Sequence, residues 1–442
     1  MVLPEAFILR TQAILRDEWN EFEQALKAES PTSIRLNPAK MAGFSYGPVI
    51  SWTSNAYYLD SRPSFTLDPL FHAGCYYVQE ASSMFLEQMI KKQVTQPVKV
   101  LDLCAAPGGK STQLSAVLPE GSLLAANEVI RPRAAVLVEN LTKWGNPHTM
   151  VMNNDPAVFG KLTGFFDVLV TDVPCSGEGM FRKNPDAIQE WSVNNVQLCA
   201  ERQRRIVEDS WPALKPGGLL IYSTCTYNKE ENEENIDWIC RELGAELTET
   251  PHRFWPHKTK GEGFFIAAVR KTGKEKESVI AGLTRHPKST VNHGMAGQAR
   301  NDRGVYRGME EWILHPEDFV IFQDNNFIKA VPKIHWADYT LLLKHLKILS
   351  AGITLCEIKG KDRIPDHSLA MSNELAMNAF PAWELDKETA LKYLRKEALQ
   401  TIPGDLPKGY VLLTYSGHPL GFVKNIGNRA NNLYPQHWRI RF

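Results

Sequence analysis

Five short apolar runs between residues 98 and 227 constrain this chain more than any other feature. They are VKVLDLC (98–104), SLLAANEV (122–129), HTMVMNND (148–155), FDVLVTDVP (166–174) and GGLLIYSTCTY (217–227). Runs this short and this continuously apolar suit strands buried on both faces. Helical spacing fills the text between and after them, from residue 110, from Arg131 to Trp144, around 186–214 and, in acidic form, near 230–243. Such alternation predicts an α/β fold with a Rossmann-like, doubly wound, mostly parallel sheet and ligands at the carboxyl ends of its strands. GFFIAAVRK (263–271) is expected as an extra strand at the sheet edge.

The flanks differ in rhythm. Phe7, Ile8, Ile14, Leu15, Phe22 and Leu26 have helical spacing over 4–29, and PTSIRLNPAK (31–40) breaks that helix. Residues 41–75 mix aromatics with Gly, Pro and Ser, as in short strands and loops. Segment 271–310 is poor in apolar residues and holds eight Lys/Arg against four Asp/Glu, as a linker or arm would. Helical text returns near 337–349. The last forty residues carry five Lys/Arg and one Asp, with strand-like YVLLTY (410–415), and read as a small basic β-rich module. The predicted divisions are an N-terminal accessory domain (1–94), a central α/β domain (95–272), a basic linker (273–310), a C-terminal accessory region (311–374) and a terminal β-rich domain (375–442).

Composition excludes some classes. With 43% hydrophobic and 23% charged residues the chain is neither disordered nor fibrous. Fifty basic residues balance fifty acidic ones, so any nucleic-acid contact must rest on local patches. No run of about 18 apolar residues predicts a membrane span, and MVLPEAFILRTQ has no signal-peptide character. Seven scattered cysteines without a CxxC pair fit a reducing cytoplasm and argue against a disulfide framework or zinc module.

The first run leads into CAAPGGKST (104–112), whose end resembles a phosphate-binding loop. Such a loop needs Gly six residues before its lysine, and Cys104 stands there. Gly108 and Gly109 instead allow close backbone approach to a ligand at the start of a helix, which suits a phosphate or a carboxylate. Three features favour a carboxylate within S-adenosylmethionine: the missing first glycine, Glu128 where a ribose would offer its hydroxyls, and Asp155 where an adenine amino group would lie. The alternative is that Glu128 and Asp155 only cap the helices that follow.

Cys175 follows the fourth run and Cys225 lies within the fifth. Most free cysteines are packing residues. Two at neighbouring strand ends beside a methyl donor suggest chemistry instead. Carbon 5 of a pyrimidine is too weak a nucleophile to take a methyl group until a thiolate adds to carbon 6. Asp172 then suits N3 of a cytosine, as hydrogen-bond partner or proton source, and Lys110 is a candidate for activating the thiol.

DLCAAPGGK (102–110), TDVPCSGEGM (171–180) with FRKNP (181–185), and YSTCTYNKEENE (222–233) resemble the NOL1/NOP2/Sun family of RNA cytosine-5 methyltransferases, as do SIRLNP (33–38) and YYVQEASSM (76–84). The layout is most similar to the bacterial small-subunit ribosomal RNA branch, in which a PUA-like RNA-binding module follows a class I methyltransferase core. The resemblance implies Cys225 as nucleophile and Cys175 as an aid to product release. It also implies cofactor contacts from Cys104, Ala105, Ala106, Pro107, Gly108, Gly109 and Lys110, from Glu128, Asp155 and Asp172, and from Arg133, otherwise a solvated helix residue. The expected enzyme is a cytoplasmic, monomeric, metal-free methyltransferase of 16S ribosomal RNA or the small subunit. Its rivals are a transfer-RNA methyltransferase, a non-catalytic assembly factor and, least, a triphosphatase.

Reaching a cytosine requires flipping it out of the stack or finding it unpaired. The basic arm and tail are candidates for phosphate contacts, and Tyr434 and Trp438 either stack on bases or fill a small core. EENEEN (230–235) is expected to start a solvated helix away from RNA.

Overall fold

The computed structural model describes residues 2–273, 308–400 and 402–441. Most of the basic arm lies outside the described residues. Helices Glu5–Leu15 and Trp19–Lys27 come first, in place of one longer helix, because Arg16 takes a left-handed φ of 53° between them. Strands β1 (Thr32–Leu36), β2 (Ala56–Leu59) and β3 (Tyr76–Val78) then form an antiparallel sheet with β1 in the middle.

The five apolar runs become β4 (Lys99–Asp102), β5 (Leu123–Asn127), β6 (Thr149–Met152), β7 (Phe166–Asp172) and β8 (Leu214–Thr224), all parallel in the order β6-β5-β4-β7-β8. The chain builds outward from β4 to β6 and then returns to place β7 on β4's other side. The switch point therefore lies between β4 and β7, and the loop after β4 opens beside the end of β7. Strands β9 (Ala245–Leu247), β10 (His252–Phe254) and β11 (Phe264–Lys271) extend the sheet beyond β8.

Two sequence expectations change here. β11 is not an edge strand: it pairs with β8 on one side and with β9 and β10 on the other, and Phe264–Val269 are all buried. Its unbroken apolar text was the mark of a strand covered on both faces. The helix expected over 337–349 ends at Leu342, and β14 (Ile348–Ala351) joins the central sheet antiparallel to β6. The open edge of β6 offers unpaired N–H and C=O groups that only a partner strand satisfies, and residues far along the chain supply it.

Around β14, strands β12 (Phe319–Asp324), β13 (Phe327–Pro332), β15 (Ile353–Lys359) and β16 (Asp362–Pro365) make a four-stranded sheet. The terminal module is a sheet of β17 (Ala382–Glu384), β18 (Gly409–Tyr415), β19 (His418–Asn425) and β20 (Ala430–Asn432). Tyr434 is fully buried and Trp438 is 9% exposed, so both belong to the core rather than to an RNA-facing surface. That core is shared with the N-terminal sheet: Ile34, Leu36 and Tyr76 pack in one cluster with Tyr393, Val411, Leu413 and Tyr434.

Polar side chains tie the modules together. Buried Arg35 donates to Gln79 Oε1 (2.9 Å), Thr112 Oγ1 (2.6 Å) and the Gly109 and Thr112 carbonyls, with its guanidinium 4.6 Å from the Trp144 ring centre. This fastens the N-terminal module to the first turn of the helix that follows the β4 loop. Lys40 donates to the carbonyls of Ala73 in the N-terminal module, Lys143 in the central domain and Met371 in the C-terminal region. Burial lowers its pKa to about 8, a cost that three carbonyl acceptors offset. Among the described residues no helix is long and apolar enough to cross a membrane.

Candidate active site

Helix Gly109–Val117 begins directly after the β4 loop, and Gly108, at φ 115°, turns the chain into it. A Cβ on Gly108 would adopt a backbone conformation that L residues rarely take, so glycine is required there. A Cβ on Gly109 would meet the Tyr77 ring at 3.4 Å, so β3 of the N-terminal module packs over the loop. The two segments bound a cleft of about 190 Å³, lined on one side by Cys104–Pro107, Gly109, Lys110 and Asp172 and on the other by Tyr77–Glu80 and Ser83.

Inside it, Lys110 Nζ lies 2.8 Å from Asp172 Oδ2, and Ser223 Oγ donates to Asp172 Oδ1 at 2.8 Å. Lys110 thus directs its ammonium to Asp172 rather than to a sulfur, unlike the thiol-activating role considered from the sequence. Burial pushes the Cys104 thiol up to about 12, so it stays protonated. Beneath the loop, Asp102 is wholly buried. Its Oδ2 accepts from Ser111 Oγ at 2.6 Å, its Oδ1 has no partner, and burial raises its pKa to about 7.

Glu128 and Asp155 sit at the ends of β5 and β6 and do cap local backbone. Glu128 Oε1 accepts from Ile130 N at 2.9 Å, and Asp155 Oδ1 accepts from Ala157 N at 3.0 Å. Each keeps its second oxygen out of those cap bonds, so capping and ligand binding are compatible. Arg133 is half-exposed, 3.4 Å from Glu128 Oε2, and donates to the Ala106 carbonyl at 2.8 Å. It therefore braces the β4 loop against the end of β5.

These groups fit S-adenosylmethionine chemically. Lys110 and a helix N-terminus face a cleft that needs positive charge for a carboxylate, Asp172 offers negative charge to an ammonium or sulfonium, and Glu128 Oε2, beside Arg133, is a candidate ribose acceptor.

The two cysteines meet. Cys175 Sγ and Cys225 Sγ are 3.0 Å apart, on the loops that leave β7 and β8. Both remain free thiols. The hydrogen bond with Cys225, burial and nearby negative charge hold the Cys175 thiol well above its ordinary pKa, and either sulfur can be the donor in the contact.

Sequence reasoning overlooked two sets of residues. Tyr77, Gln79, Glu80 and Ser83 wall the cleft from a separate module, and only the YYVQEASSM likeness signalled them. EENEEN was expected to be solvated, yet Glu231, Asn232 and Asn235 are buried, and the helix proper starts at Glu233. Glu231 accepts from Ser176 N, Gln203 Nε2 and Asn228 Nδ2, a demand invisible in a charge pattern.

Comparison with known proteins agrees along the whole chain. Residues 89–270 match the family model for the 16S rRNA methyltransferase RsmB/F, residues 3–81 the N-terminal domain of 16S rRNA methyltransferase RsmF, and residues 380–440 the methyltransferase RsmF PUA domain. The ribosomal RNA small subunit methyltransferase F of Citrobacter koseri is 30% identical over 477 residues, covering 98% of this chain and 96% of that protein. That of Vibrio cholerae is 30% identical over 471 residues, covering 98% and 97%. Among solved structures, a methyltransferase homolog protein from Pyrococcus horikoshii is 26% identical with a TM-score of 0.53, covering 61% of this chain and 95% of that one.

Proposed function

The chain belongs to the ribosomal RNA small subunit methyltransferase F family of S-adenosylmethionine-dependent enzymes, and on that premise we propose that it methylates carbon 5 of cytosine in 16S ribosomal RNA. The observation that carries this is the pair of sulfurs 3.0 Å apart, at strand ends next to the Lys110–Asp172 ion pair. A methyl transfer to oxygen or to an exocyclic nitrogen needs no thiol, whereas carbon 5 needs one.

S-adenosylmethionine, held by Cys104–Lys110, Glu128, Arg133, Asp155 and Asp172, supplies an electrophilic methyl group. Cys225, as thiolate, forms a bond to carbon 6 and pushes electron density to carbon 5. Asp172 meets the N3 edge, and the Lys110 ammonium paired with it answers the negative charge that develops there. After carbon 5 is methylated, a base takes its proton, the carbon 6–sulfur bond breaks, and the electron pair returns to Cys225. Cys175 stays protonated and donates its hydrogen bond to the departing thiolate. The N-terminal and PUA-like modules hold the RNA, and the small subunit places the work in the cytoplasm.

The test is tritium release from small-subunit RNA labelled at carbon 5 of cytosine, using wild type, Cys225→Ala and Cys175→Ala. Release by wild type, none by Cys225→Ala, and a trapped protein–RNA adduct with Cys175→Ala are expected. An adduct that needs Cys175 instead reverses the two roles. No release by wild type from free RNA or from 30S subunits rejects the substrate.

A further inference from the structure

Two carboxylates beside the cysteines have no part in the chemistry above. Glu178, on the loop after Cys175, is 2% exposed, and Glu231, on the loop after Cys225, is fully buried. Among the described residues neither forms an ion pair with Lys or Arg. Each reaches across to the other's loop. Glu178 Oε2 accepts from the Thr226 hydroxyl (2.8 Å), Tyr227 N (2.8 Å) and Asn228 N (2.9 Å), while its Oε1 accepts from Trp191 Nε1 (3.0 Å). Glu231 Oε2 accepts from Ser176 N (3.0 Å) and Gln203 Nε2 (2.6 Å), and its Oε1 from Asn228 Nδ2 (2.7 Å).

Between them, the hydroxyls of Ser176 and Thr226, the residues directly after each cysteine, are 3.0 Å apart. Gly179 N donates to the Cys225 carbonyl at 2.9 Å, and a Cβ on Gly179 would lie 2.8 Å from that oxygen and 2.5 Å from the Gly263 carbonyl. Burying carboxylates without a cation is costly, and apolar side chains would serve stability better. Negative charge here also disfavours thiolates. What the arrangement supplies is fixed geometry: four of the bonds accepted by the two carboxylates tie one cysteine loop to the other.

We infer that Glu178 and Glu231 are positioning residues, a reciprocal cross-brace that holds the two cysteine loops at their 3.0 Å sulfur–sulfur spacing. The inference rests on the roles given above to Cys225 and Cys175, but the spacing is measurable without RNA. Diamide takes two electrons and two protons from a pair of close thiols, leaving a disulfide and the reduced hydrazine, so the rate of Cys175–Cys225 disulfide formation reports the spacing.

Glu178→Gln and Glu231→Gln are expected to slow that rate and to lower kcat, each about tenfold or more, the scale of one lost charge-assisted hydrogen bond, with S-adenosylmethionine affinity unchanged. Should either fail to fold, Thr226→Val and Thr226→Ser decide: Val slows both rates and Ser, which keeps the hydroxyl, restores them. Wild-type disulfide rates in both glutamine variants, or equal effects of Val and Ser, overturn the brace. Slow disulfide formation in the variants together with a wild type that turns over no RNA keeps the brace and removes the reaction assigned to it.

Discussion

The two sides of the active site use carboxylates in opposite ways. On the side proposed for the cofactor, Glu128 and Asp155 stand at strand ends, each capping its own neighbouring backbone, and the second oxygen of Glu128 faces Arg133 at 3.4 Å. On the cysteine side, Glu178 and Glu231 lie below the surface with their oxygens taken by backbone, amide, indole and hydroxyl donors. The first pair holds its own local backbone, with Asp155 exposed and Glu128 only 3% exposed beside Arg133. The second is spent on architecture. The reach of the bonds separates the two pairs, to neighbouring backbone in one and across to another loop in the other; exposure does not, since Glu128 and Glu178 are 3% and 2% exposed.

Asp102 tests that division most severely, since it is a wholly buried strand-end acid with one oxygen unpartnered. A folded pKa near 7 means the folded chain holds a proton more tightly than the unfolded chain does. Its stabilising contribution is then complete below about pH 4 and is lost as pH rises toward 7. Relative to Asp102→Asn, which does not titrate, wild type should lose up to about 4 kcal/mol of unfolding free energy over that range. Urea titrations at several pH values measure it. A difference that is flat, or that rises with pH, would show that folding does not raise the Asp102 pKa and break the comparison.

Next in size is Glu128→Ala. It should weaken S-adenosylmethionine by about 2 kcal/mol, or roughly thirtyfold, with little change in turnover at saturating cofactor. Calorimetry beside Glu178→Gln sharpens the contrast, because the brace variant should bind the cofactor as wild type does. The smallest effect belongs to Asp155. Loss of its cap in Asp155→Ala should cost about 1 kcal/mol, and Asp155→Asn should recover the stability because Asn caps as well. If Asn also restores full cofactor affinity, the charge at Asp155 contributes nothing to binding.

The alternation of apolar runs and helices was enough to foresee the central sheet, because strands buried on both faces need continuous apolar text and helices between them need a 3.6-residue period. The same rhythm put Asp102, Glu128, Asp155, Asp172 and both cysteines at the ligand end. The PUA-like tail was legible as a basic β-rich segment. These properties are local: a window of ten residues contains the cause.

Only the tertiary structure decided the rest, since each remaining feature pairs residues far apart in the chain. β14 closes the edge of β6 across nearly 200 residues, and β11 has neighbours on both sides. Tyr434 and Trp438 fill a core shared with the N-terminal sheet. Glu231 stands in a run that any charge pattern assigns to solvent, yet it is buried because Ser176 N of the other cysteine loop and the side-chain amides of Gln203 and Asn228 need an acceptor there. Periodicity reports which face of an element is apolar; it carries no record of which distant donor will meet a given acid once the sheet has formed.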